Sequence, residues 1–303
     1  MKKLKLILLL FFYSIIISNA QEPKQYTKAI ELLQQGKQDS LRNHLENWEL
    51  TEPQQAEIYA LWLNYYFYES EKEIVSFTNE APEKESLAIV DSLGNTVGYF
   101  VSNINYDEVI LQKGYDKIDE GIELYPNRLD FYYGKARLLF DYSISYQECF
   151  ATLEKIFTQH KHNNGNWHWT HNEPLGEAAD SIIVDTTQNY IVSFLDAEQI
   201  SYASQLADLA LKLFPNNTMY LADKAAILYN KGDYQGALNS YLNILKNTPN
   251  DYLVVYNVAY LYEKIGDYKK AKKYYKIAKK SDDSNIALQA TEALDYLENI
   301  NKK

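Results

Sequence analysis

The chain has little of what usually locks a small exported fold or marks an active site. Its 303 residues hold one cysteine, Cys149, so no intrachain disulfide can form and the fold must stand on packing. Seven prolines and eleven glycines leave few forced turns, so long regular elements are favoured. Basic charge is short, with 30 Lys and Arg against 41 Asp and Glu, a net charge of -11. That balance argues against nucleic acid and anionic lipid as partners, since both need clustered Lys and Arg. No HExxH, no GxSxG, no glycine-rich phosphate loop and no Cys–His pair in a useful context occurs. The one long apolar run, Leu6 to Ile17, falls short of the roughly 20 residues that span a bilayer.

That run follows Lys2, Lys3 and Lys5 and precedes Ser18-Asn19-Ala20. A basic start, a short apolar stretch and small residues at the exit form a secretory signal pattern, with cleavage expected after Ala20. Loss of its three lysines takes the net charge from -11 to -14. A periplasmic or secreted location is the expectation. Tyrosine is the abundant residue, at 28 copies, and its apolar ring with a polar tip suits both helix packing and half-wet binding surfaces.

Spacing carries the architecture. Gly232-Asp233-Tyr234 and Gly266-Asp267-Tyr268 lie 34 residues apart, as do Ala225 and Ala259, Ala237 and Ala271, Tyr241 and Tyr275, and Pro215 and Pro249. Small alanines let two helices approach closely, the tyrosine fills the gap beside them, and the glycine ends the first helix in a left-handed conformation. Proline stops the second helix because it has no N–H to donate. Weaker copies continue upstream. Ala203, Ala207, Ala210 and Pro215 keep the phase although Glu198 replaces the turn glycine; Ala136, Leu139, Cys149, Leu153 and Ile156 mark another pair. Ala29, Leu32, Gly36, Leu41, Leu45, Trp48 and Pro53 fit a degenerate first copy, and a helix from about 56 to 70 has its partner at about 106 to 125.

This pattern resembles the tetratricopeptide repeat. The resemblance implies an all-α fold, a right-handed α-solenoid of antiparallel helix pairs, here with a small β-hairpin insertion. The expected organisation is a signal over 1–20 and degenerate helical repeats over 21–160, with a hairpin at about 71–105. A Trp- and His-rich insertion follows over 161–183, then repeats over 184–285, clearest at 218–251 and 252–285, and a capping helix over 286–303. The hairpin is read from Leu87–Val90 and Val97–Val101 around a Gly-Asn turn. The cap is read from the stripe Ile286, Ala290, Ala293, Leu294, Leu297 and Ile300.

In the resembled family the first helices of successive repeats line a concave groove that holds a peptide or protein. Matched by position, this implies partner-binding residues Tyr133, Arg137 and Phe140, then Asp223, Ala226 and Tyr229, then Tyr256, Asn257, Tyr260 and Lys264. Arg137 and Lys264 stand alone, so a clamp for a terminal carboxylate is not implied. Trp167 and Trp169 are expected to pin the second insertion and shape the site. No catalysis and no cofactor is expected. The alternative readings use that same insertion: a metal site of His160, His162, His168 and His171, a hydrolytic site of His168, His171, Glu173 and Asp180, or sugar stacking on the two tryptophans.

Overall fold

The computed structural model describes residues 24–83, 86–143 and 145–300. The proposed signal and its cleavage point lie outside the described residues. Among the described residues thirteen α-helices carry most of the fold, and most successive helices are joined by short turns, which makes neighbours antiparallel. The chain divides into two units: one through Thr152 with Gln159–Gly176, the other Leu153–Thr158 with the residues from Glu177 onward.

The second unit holds α7 (Ala178–Asp196), α8 (Ile200–Leu213), α9 (Thr218–Asn230), α10 (Tyr234–Asn247), α11 (Tyr252–Lys264), α12 (Tyr268–Ala278) and α13 (Ser284–Ile300). Its 34-residue repeat is visible in the backbone. Gly232 and Gly266 adopt φ of 80° and 83°, and the residue after each glycine closes the turn: Asp233 N–H donates to Leu228 and Asp267 N–H to Tyr262. Glu198 occupies the same place with φ 59°, and Gln199 N–H donates to Phe194 in the same way. The turn is therefore retained without its glycine, at the strain a side chain meets in this region. The carboxylates of Asp233 and Asp267 then accept from the N–H groups of Gly236 and Lys270 and cap the following helices.

Inside, Ala225, Ala237, Ala259, Ala271 and Ala290 are fully buried, and Tyr241 and Tyr275 fill the spaces beside them. Leu294 and Leu297 of α13 close the end of this core.

The first unit begins with α1 (Lys24–Gln34) and α2 (Gln38–Thr51), joined at Gly36, φ 65°, through the same backbone closure from Lys37 to Leu32. Helix α3 (Glu57–Ser70) is apolar on nearly every side and ten of its residues are buried. Its partner is α4 (Glu108–Leu124), which comes close through two glycines one heptad apart. A Cβ on Gly121 would lie 2.6 Å from that of Tyr59, and one on Gly114 would lie 3.1 Å from that of Tyr66. Next come α5 (Leu129–Asp141) and α6 (Tyr146–His162).

The first insertion is larger than a hairpin. Strands β1 (Glu71–Thr78), β2 (Ser86–Val90) and β3 (Thr96–Tyr106) form an antiparallel sheet in the order β1-β3-β2. The hairpin of β2 and β3 turns at Gly94 (φ 85°), where Asp91 accepts from the N–H groups of Leu93 and Asn95. The added strand escapes notice in sequence because Glu71-Lys72-Glu73-Ile74-Val75 does not alternate. Pairing of Glu71 with Tyr106 closes the excursion at its root, and Asp107 N–H donates to the Ser70 carbonyl. The helix pair thus continues as though a short loop joined it.

Candidate functional site

In the second unit, α9, α10 and α11 enclose a half-open hollow of about 260 Å³. Ala226, Tyr229, Tyr241, Asn257, Tyr260 and Leu261 line it. Four of these come from first helices at positions the repeat resemblance implies or adjoins, since α9 presents residues 226 and 229 one turn apart and α11 does the same with 257 and 260. Leu261 and Tyr241 complete the wall, the latter from a second helix.

The hollow has an ordered polar rim. The Tyr229 and Tyr260 hydroxyls stand 3.1 Å apart, with ring centroids at 5.9 Å. Lys264 Nζ sits 5.0 Å from the Tyr260 ring centroid, a cation on an aromatic face. The hydrogen bond with Tyr229, aided by Lys264, moves the Tyr260 hydroxyl below the usual tyrosine value, and the same bond moves Tyr229 above it. Asn257 hydrogen-bonds the Tyr241 hydroxyl, which burial and the nearby Asp223 charge push up to about 12. The arrangement offers aromatic faces, one side-chain amide and phenolic donors, which suits an apolar or aromatic anchor with polar groups beside it.

Asp223 lies one turn before Ala226 and is only 7% exposed. Oδ2 of its carboxyl has no hydrogen-bond partner, and the Gln188 side chain offsets only part of the cost of its burial. Loss of solvent raises its pKa to about 7. Tyr256 does not line the hollow; its ring packs edge-on against Tyr275 at 5.5 Å and fills a seam between helices.

The residues expected in the first unit do not make a matching surface. Tyr133 is buried at 1% exposure, because α5 is enclosed on almost all sides, with nine of its residues buried. Arg137 spends its charge on Asp141, 3.4 Å away, and the Phe140 ring packs on Tyr146 at 5.2 Å.

The Trp- and His-rich insertion is shorter than the sequence implied, since α6 runs through His162 and α7 starts at Ala178. Strands β4 (His168–Trp169) and β5 (Glu173–Pro174) pair around a tight turn in which His171 and Asn172 take φ of 61° and 60°. Trp167 is 1% exposed, so it is a pin rather than a contact surface: its indole N–H donates to His160 Nδ1 at 3.1 Å and its ring meets Tyr132 edge-on. Trp169 remains partly exposed.

The histidines stand in different places. His160 accepts from Trp167, His162 is exposed at the helix end, His168 lies on β4 with its backbone N–H donating to the Asn127 carbonyl, and His171 packs its ring edge-on against Tyr26. Among the described residues, no group of three His, Cys, Asp or Glu side chains is placed to hold a metal ion. With Trp167 buried, the pair of exposed tryptophans that sugar stacking needs is also lost.

Sequence reading missed the ion cluster that seats this insertion. Arg128, 1% exposed, donates from Nη1 to Glu57 at 2.9 Å and from Nε and Nη2 to the two oxygens of Asp130 at 3.0 and 2.8 Å. Glu57 also accepts the backbone N–H of His171 at 2.8 Å, and Thr170 reaches Asp130 at 3.4 Å. The guanidinium lies 4.5 Å from the centre of the Phe131 ring.

No model of a known protein family matches the chain, and no curated protein matches it. Among solved structures, the chain is similar to YrrB, a TPR protein with an unusual peptide-binding site, at 19% identity. That likeness covers 60% of this chain and 83% of the other, with a TM-score of 0.40. It is also similar to a tetratricopeptide repeat protein from Parabacteroides merdae, at 11% identity over 91% and 88% of the two chains, TM-score 0.41. A third is PilW, a type IV pilus biogenesis factor, at 10% identity over 87% and 96%, TM-score 0.39. Scores this low carry no weight alone, and the tetratricopeptide-like fold rests on the chain's own 34-residue spacing and repeated turns.

Proposed function

We propose that the chain is an exported interaction scaffold that holds a peptide, or an extended segment of a partner protein, in the hollow between α9, α10 and α11. The observation that carries this is the convergence of Tyr229, Asn257 and Tyr260, singled out by repeat register, on one cavity with Ala226, Tyr241 and Leu261. Export is supported by the leader pattern before Gln21, and the periplasm or the exterior is the location proposed. No reaction is assigned: among the described residues no group of three His, Cys, Asp or Glu side chains is placed to hold a metal ion, and Asp180 stands on α7, outside the turn that carries His171. The acidic charge favours a protein partner over nucleic acid.

Capture from an extract of the producing cell tests the reading. The native chain and a Tyr229→Ala, Tyr260→Ala variant would be compared after matching their helical content and melting temperature. Removal of the two rings is expected to weaken capture about tenfold or more, as for central aromatic anchors generally. An equally strong capture by the variant would move the site away from the hollow.

A further inference from the structure

The three-stranded sheet carries an apolar face that the groove reading does not use. Alternation places Val75 and Phe77 of β1, Leu87 of β2, and Phe100 and Ile104 of β3 on the same side, with Phe77, Phe100 and Leu87 in cross-strand register. Gly98, between Phe100 and the turn, leaves room for the Phe77 ring to lie across the strand. These five residues are 43 to 69% exposed. The charges on this side, Glu71 and Glu73, stand at the root of the sheet, and Glu73 accepts a hydrogen bond from Ser102. The opposite side includes Val101, which is buried.

A small sheet that leaves five large apolar side chains to water on one face is marginal unless something covers them. We propose that a second copy of this chain covers them, sheet face against sheet face. At ordinary side-chain areas the five expose on the order of 500 Å² per copy, so pairing two copies removes about 1,000 Å², where specific interfaces begin to be stable. Composition points the same way. Interfaces between identical subunits are more apolar than those between partners that come and go, and the centre of this patch holds no charge. Two copies therefore bring no like charges together there, although the chain as a whole is strongly acidic. Sheets pack face to face at a separation of about 10 Å, which flat rows of Val, Phe, Leu and Ile fill. A two-fold arrangement uses the same patch twice and closes.

Sedimentation velocity on the chain as its producing cell accumulates it, up to about 100 μM, tests this. The expected result is a concentration-dependent shift to twice the chain mass. Leu87→Glu puts a charge into the patch directly beside Phe100 and is expected to raise the dimer dissociation constant at least about tenfold. Leu87→Met, which keeps size and apolarity, and Val109→Glu, an exposed apolar site on α4, are expected to leave the dimer intact. Unchanged circular dichroism would show that each variant is folded. A native chain that stays monomeric throughout, or a dimer that Leu87→Glu does not weaken, overturns the proposal; so does coverage of the face by a different protein.

Discussion

Replacing Arg128 with Ala is expected to destabilise the first unit by about 3–5 kcal/mol, the usual cost of removing one member of a buried charge cluster. The residue is 1% exposed and bonds two carboxylates, Glu57 and Asp130. Without it, both would be left facing each other in low dielectric, with their desolvation uncompensated. The loss also reaches the insertion, because Glu57 holds the His171 N–H and Asp130 holds Thr170. Neutralising the cluster as a whole, with Arg128→Met, Glu57→Gln and Asp130→Asn, is expected to cost less than Arg128→Ala alone, since no orphaned charge remains. All four tryptophans, at 48, 62, 167 and 169, belong to the first unit, so tryptophan fluorescence during urea unfolding reads that unit selectively. A cost under about 1 kcal/mol for Arg128→Ala would show that the cluster behaves as an exposed ion pair does.

Asp223→Asn is expected to stabilise the second unit at pH 8 by about 2–4 kcal/mol and to change little at pH 4. Burial raises the folded-state pKa of Asp223 to about 7 from an ordinary value of 3.8. The folded state therefore holds a proton that the unfolded state has released between these values. The native contribution is fully present below about pH 4, declines as pH rises to about 7, and is constant above that. Asparagine carries no charge at any of these pH values and so lacks the decline. Urea unfolding at pH 4, 6 and 8, followed by the helical signal at 222 nm, would show the two chains diverging as pH rises. A constant difference across that range would mean that the carboxyl finds compensation for its charge when folded.

The repeat was legible because it is written in glycine and alanine. Gly232 and Gly266 mark left-handed turns, and Ala225, Ala237, Ala259 and Ala271 mark close helix contacts. Glu198 reads as a missing signal in sequence, yet its backbone keeps the same conformation, because the packing of the flanking helices outweighs the local preference of one residue. The hollow was half legible. Repeat register gave Tyr229, Asn257 and Tyr260, whereas Tyr241 and Leu261 join them only once neighbouring pairs stack.

Register failed at Tyr133 and Tyr256 for a related reason. A helix enclosed on nearly all sides has no outward stripe to read, and an aromatic ring beside another can turn into the seam. The Arg128 cluster was invisible, since residues 57, 128, 130 and 171 meet only through the fold. Four histidines within twelve residues suggested a metal, but the end of α6 carries His160 and His162, the strand carries His168 and the turn carries His171, so neighbours in sequence belong to different local structures.

The most direct test of the scaffold reading places a photoreactive p-benzoylphenylalanine at Tyr229 or Tyr260 inside the hollow, and at Tyr268 or Tyr296 on exposed surface outside it. After irradiation in an extract of the producing cell, the account expects one partner protein crosslinked from positions 229 and 260 and absent from 268 and 296. A partner crosslinked from the outer positions and not from the hollow would contradict it.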